Sequence, residues 1–202
     1  MNKEVSMKNI IKGLVLGLLI VFLYAGCAKQ PTQEMKEAEA AINSAFKEGA
    51  SIYAAEELEK LKKDYDAVMD EVNTQSKKLF KKYGNTKKML AQVKADAETL
   101  KASIPTRKEQ ARNNAISALG EVQKAVEEAK TLLSEAPKGK GTRADIEALR
   151  ADLKGLEDML TEIRQLIESE GYFGASEKAK IVKEKALIIS EQIKQALEKV
   201  KK

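Results

Sequence analysis

From Gln33 onward the apolar residues recur at alternating spacings of three and four. That rhythm restricts the chain to helices that pack nearly parallel or antiparallel along a heptad seam. The fullest run is Ile146, Leu149, Leu153, Leu156, Leu160, Ile163 and Ile167. An earlier run is Leu58, Leu61, Tyr65, Val68, Val72, then Gln75 and Leu79. The last is Ala175, Ala179, Val182, Ala186, Ile189, Ile193, Ala196 and Val200. Between them lie Leu90, Val93, Ala97, Leu100, Ile104 and Ala115, Leu119, Val122, Val126, Ala129, Leu133. A shorter first helix carries Met35, Ala38, Ile42 and Ala45. No stretch alternates with period two, so no strand is expected. The fold class is all-α: an elongated antiparallel bundle of coiled-coil-like hairpins, five to six helices after the N-terminal segment.

Composition agrees. Charged residues make up 33% of the 202 and aromatics 4%, the balance of long helices rather than sheets. The net charge of +5 spreads over a near-even mix of signs, which reads as solvated helix faces and not as a nucleic-acid binder. The chain has no His, so no unperturbed side chain titrates between about pH 5 and 8. One Cys excludes an internal disulfide and, with no His, argues against zinc and other transition metals. No cofactor and no enzymatic activity are expected.

The seams are punctuated at Gly49, Gly84-Asn85, Pro105, the loop "APKGKGT" (136–142), and Gly171 with Gly174. Thr106 with Glu109 and Thr142 with Asp145 fit the helix-starting box. Pro105 either ends one helix before the next or kinks a long one. Helices over 54–83 and 143–169 would be ~45 Å and ~40 Å long. Most of the 58–79 seam shifted by 88 falls on the 146–167 seam, and each leads into a turn with Tyr and Gly, "KKYGNTKK" and "SEGYFGAS". Within a helical domain over 34–202 the match reads either as two long hairpin units, about 34–136 and 142–202, or as the alignment that any two heptad helices give.

The first 26 residues are of another kind. Met1 to Lys12 is weakly basic; Gly13 to Ala28 is uncharged and mostly aliphatic, and Met7 offers an alternative start. That is the layout of an export signal, shorter than the ~18–20 residues a spanning helix needs. The lone Cys27 follows directly on Ala25-Gly26. "LYAGC" (23–27) resembles the bacterial lipobox, with Tyr24 where Leu is usual. The resemblance implies cleavage before Cys27, lipidation of its thiol and a membrane anchor, with residues 27–33 as the acylated tether. Two or more acyl chains hold a protein firmly where one does not. Ala28 resembles the outer-membrane sorting signal of Gram-negative lipoproteins, which implies a place on the outer membrane facing the periplasm.

"EAEAAINSAFKEGASIYAAEEL" (37–58) and "APKGKGTRADIEALRADL" (136–153) resemble the helical bacterial lipoproteins built around domain of unknown function 4398. Where that family commonly has Pro after "YA", this chain has Ala55. The resemblance implies an exported helical lipoprotein and assigns no activity.

Candidate chemistry is sparse. Glu56-Glu57 and Glu127-Glu128 are adjacent on helices and point in different directions, so they form no acid/base pair. "GKGT" (139–142) lacks the strand and upstream Gly of a phosphate loop. Met69, Met89 and Met159 sit on or beside apolar faces as core fillers. The one local anomaly is "KKLFKKYGNTKK" (77–88). Lys77, Lys78, Lys81, Lys82, Lys87 and Lys88 flank a turn, with Phe80 and Tyr83 among them and no Asp or Glu between Glu71 and Asp96. This reads either as a solvated tip or as an anion-binding tip for lipid headgroups, cell-wall carboxylates or an acidic protein. If the second helix runs antiparallel to the first, the turn comes back toward the bilayer.

The expected role is structural: an anchored helical body that presents its faces to envelope proteins, cell wall or a second copy. A variant is attachment to peptidoglycan through Lys202. The alternative is a peptide-binding adaptor of tetratricopeptide-like character, on "GYFGASEKA" (171–179), and a third reading is an enzyme of envelope metabolism.

Overall fold

The structure is a computed structural model that describes residues 28–135 and 143–200. Residues 1–27, where an export signal and the lipidation of Cys27 were expected, the loop 136–142 with Thr142, and Lys202 lie outside the described residues. Within them the chain is a helical bundle with five α-helices and no strand. These are α1 (Thr32–Ala45), α2 (Ala55–Ser76), α3 (Gly84–Ser134), α4 (Arg143–Glu168) and α5 (Tyr172–Val200). A π-turn (Phe46–Ala50) and a single helical turn (Ser51–Tyr53) join α1 to α2.

Two compact units divide between Pro105 and Thr106, inside α3, whereas the sequence placed the division in the 136–142 loop. Pro105 neither ends the helix nor starts a new one; it lies within the 51 residues of α3. Its ring nitrogen has no N–H for the carbonyl of Lys101 four places back. Thr106 and Glu109 therefore sit in a helix interior and cap nothing.

In the first unit α1, α2 and the first half of α3 run up, down and up. The hydroxyl of Tyr65 on α2 approaches the carbonyl of Met35 on α1 at 3.5 Å. Lys87 and Lys94 on α3 meet Glu34 and Glu37 on α1 in the same order along both helices, so α3 runs parallel to α1. Reversal between α1 and α2 needs Gly49, whose φ of 109° is left-handed backbone that side chains rarely adopt. The core joins Ile42, Leu58, Leu61, Val68, Leu90, Val93, Leu100 and Ile104 with Ala38, Ala45, Ala50, Ala54 and Ala97. These alanines, fully or almost fully buried, let the helix backbones come close. Met89 packs against this core as a filler.

The second unit repeats the plan with the rest of α3, α4 and α5. Lys108 pairs with Glu170 and Lys183 with Glu121, so the second half of α3 and α5 lie parallel. Lys130–Glu157 and Lys178–Glu162 tie α4 to its neighbours on either side. Exposed pairs of this kind add little stability and mark the register that the buried seams set.

The seams are buried as expected. All of Ile146, Leu149, Leu153, Leu156, Leu160 and Ile163 are buried, as are Ala175, Ala179, Val182, Ala186, Ile189 and Ile193. Three details depart from the sequence reading. The second helix stops at Ser76 and not at residue 83, so Leu79 is 89% exposed instead of continuing the seam. Gly174 lies inside α5 and breaks nothing. Met35, Tyr65, Leu119, Ile167 and Ala196 are only half-buried.

The repeat extends beyond the first helix pair. Buried Leu58, Leu61, Val68, Val72 and Gln75 of α2 correspond, 88 residues on, to buried Ile146, Leu149, Leu156, Leu160 and Ile163 of α4. Past the turn the offset becomes 89: Tyr83, Leu90, Val93, Ala97, Leu100 and Ile104 correspond to Tyr172, Ala179, Val182, Ala186, Ile189 and Ile193, again all buried. Each hairpin thus places a buried tyrosine where the chain enters its returning helix.

Candidate functional site

The two hairpins differ most at their turns. In the second unit α4 continues to Glu168, which keeps Leu166 and Ile167 half-buried in its last turn. The helix is closed by two backbone bonds, Glu170 N–H to the Ile167 carbonyl (3.1 Å) and Gly171 N–H to the Leu166 carbonyl (2.7 Å). That is a Schellman ending with Glu170 in the left-handed position, φ 62°.

In the first unit the matching turn is unwound. Gln75, a seam position, is buried and polar. Its Nε2 donates to Glu71 Oε1 (2.7 Å), and its Oε1 accepts the Lys82 N–H (3.2 Å). The side-chain amide thereby ties the far end of the turn back to the end of α2. Ser76 Oγ donates to the Asn73 carbonyl (2.7 Å), which also competes with helical continuation. At the other end Tyr83 is 2% exposed, and its carbonyl accepts the Lys87 N–H (2.9 Å), the first turn of α3. Thr86 is fully buried beside it, with its hydroxyl unpaired.

Six residues between these two fixed points project outward: Lys77, Lys78, Leu79, Phe80, Lys81 and Lys82, all exposed. Leu79 and Phe80 are 89% and 69% exposed. Lys88 is exposed on the first turn of α3. Among the described residues, none of Lys77, Lys78, Lys81, Lys82 and Lys88 is in an ion pair. Lys87 departs from the sequence reading. Its Nζ lies 2.6 Å from Glu34 Oε1, so its charge is spent on α1 and not at the tip. The sequence singled out the lysines and Phe80 among them but placed Leu79 in the buried seam, because Leu79 falls in step with the heptad.

Other features of the described surface are bland. No group of three or more His, Cys, Asp or Glu is poised around a metal position among the described residues. The carboxyls of Glu34, Glu37 and Glu121 are held below their usual range by hydrogen bonds from Lys87, Lys94 and Lys183. Burial pushes the Tyr65 hydroxyl up. A shallow groove on the second unit is lined by Lys124, Glu127, Glu128, Thr131, Leu132, Glu135 and Lys194. No described helix is long and apolar enough to cross a membrane.

No family model, curated protein or solved structure matches the chain.

Proposed function

We propose that the protein is an exported, lipid-anchored lipoprotein of the bacterial envelope, of the domain of unknown function 4398 type. Its helical body acts as a scaffold for envelope proteins or cell wall, on the outer membrane facing the periplasm. The observation that carries this reading is how soon the fold begins after Cys27. Only Ala28–Pro31 separate that cysteine from α1, and Pro31 is already buried against the first unit. Four extended residues span at most ~14 Å. An acylated Cys27 would therefore hold the first unit directly against the bilayer and not at the end of a loose linker.

A scaffold is favoured over an adaptor because the groove of the second unit is lined mainly by Lys and Glu, without aromatic anchors. The test is metabolic labelling with a clickable fatty acid in a lipoprotein-processing bacterium. The wild-type chain takes up label and fractionates with membranes; Cys27→Ser does neither. Equal labelling of the two overturns the anchor.

A further inference from the structure

We infer that the turn 77–82 is a second membrane contact, in which Leu79 and Phe80 enter an anionic bilayer while the surrounding lysines bind its headgroups. This inference rests on the proposed anchoring at Cys27.

The geometry starts from direction. α2 is antiparallel to α1, with Tyr65 beside Met35. From Tyr65, α2 runs on to Ser76, a rise of roughly 16 Å at ~1.5 Å per residue. α1 begins at Thr32, only roughly 4–5 Å beyond Met35 at the same rise. The end of α2 therefore passes the start of α1 by roughly 12 Å, on the side from which the tether leaves. The tether Ala28–Pro31 reaches at most ~14 Å. Anchor and turn consequently arrive at the same surface.

The chemistry of the turn suits that surface. A leucine and a phenylalanine this exposed, at the apex of a turn fixed by Gln75 and Tyr83, have no covering element in their own unit. Four lysines, Lys77, Lys78, Lys81 and Lys82, bracket them on both sides with no acidic residue in the segment. Apolar side chains seated at the headgroup boundary and ringed by lysine match an anionic lipid surface. The second unit supplies the contrast. At the matching turn Leu166 and Ile167 are half-buried inside a continuing helix, the neighbours are Glu168 and Glu170, and the exposed Phe173 already lies in the first turn of α5. One hairpin of the repeat closes its turn; the other opens it and turns apolar residues outward.

The chain contains no Trp, so Phe80→Trp introduces a single reporter, the turn indole. Ile52→Trp supplies a control indole: Ile52 is 62% exposed but sits at the far end of α1 from the tether. Each variant is purified from bacterial membranes and reconstituted into vesicles of brominated phosphatidylglycerol and phosphatidylethanolamine, or of brominated phosphatidylcholine alone. In anionic vesicles the emission of the turn indole shifts to the blue and is quenched by the brominated chains, while the control indole shows neither effect. Changing Lys77, Lys78, Lys81 and Lys82 to Gln, or adding salt, brings the quenching of the turn indole down to the level in neutral vesicles. A turn indole that stays as unquenched as the control overturns the inference, as does quenching indifferent to the four changes. Capture of the chain by isolated sacculi, with the turn indole still unquenched by lipid, assigns the turn to cell-wall carboxylates and overturns it too. The fatty-acid label on the same preparation reports the anchor separately. If Cys27 is unlabelled, quenching of the turn indole when the Phe80→Trp chain is added to preformed anionic vesicles upholds the turn without the anchor, and its absence overturns both.

Discussion

Lys87 Nζ lies 2.6 Å from a carboxylate oxygen of Glu34, joining the first turn of α3 to the first turn of α1. Sequence alone groups Lys87 with the lysines around it; the fold assigns it a different task. The pair marks the parallel register of α1 and α3 that their buried core sets; it is half-exposed, and pairs of this kind contribute little stability. Lys87→Gln should shift the thermal midpoint only slightly and leave membrane behaviour of the turn intact, whereas the same change at the exposed Lys81 and Lys82 should leave the midpoint where it is and weaken vesicle binding. Circular dichroism melts and vesicle binding of the variants separate the two roles.

The pH dependence of folding follows from these straps. Glu34, Glu37 and Glu121 titrate below the ordinary 4.5 because Lys87, Lys94 and Lys183 favour their charged forms. Their contribution is fully present above that ordinary value and is lost as pH falls through the lower, folded values. Lys94 and Lys130 titrate above 10.5, raised chiefly by hydrogen bonds to Glu37 and Glu157. Their contribution is present below 10.5 and is lost as pH rises through the higher, folded values. With no His in the chain, the melting temperature should be level from about pH 6 to about 9 and fall on both sides. A step near pH 6.5 in a series of melts would contradict this.

The seam makes a sharper prediction. Leu156 is buried in α4 while Lys154, two positions earlier, is exposed. Leu156→Asp places an unpaired charge among apolar side chains and should cost several kcal/mol, roughly 3–5. Lys154→Asp should stay within about 0.5 kcal/mol. Equal denaturant midpoints for the two would place the register elsewhere.

That register was legible because a period of three and four leaves one face apolar whatever the neighbours are. The turn of the first unit was not. Leu79 continues the spacing of Val72 and Gln75, so the pattern predicts a helix through it. What stops the helix is the buried amide of Gln75 reaching the Lys82 N–H, a contact between residues seven apart that periodicity does not encode. Tyr83 was read among lysines as part of an exposed tip and is instead core. Its one sequence signal was the recurrence of a tyrosine at 172 with the offset of the returning helix, 89, and not that of the outgoing one, 88. Pro105 posed a choice that local rules leave open, and α3 passes through it.

Two turns test backbone strain with opposite signs. Gly49 has φ 109°, and a Cβ built there would lie 3.3 Å from Tyr53 Cδ2. Gly49→Ala should therefore destabilise the first unit by about 1–2 kcal/mol, through the disfavoured backbone and the crowded ring. Glu170 is the reverse case: a residue with a Cβ at φ 62°, in the position of a Schellman ending that glycine occupies most often. Glu170→Gly relieves the left-handed penalty of about 1 kcal/mol. It gives up an exposed ion pair to Lys108 and adds freedom to the unfolded chain, both of which offset part of the gain. Glu170→Asn keeps a Cβ but tolerates the left-handed region better, so it should fall between the wild type and glycine. Equilibrium urea unfolding of the three chains gives the order directly. A glycine variant clearly less stable than the wild type would mean that the Lys108 contact, and not the backbone, governs this turn.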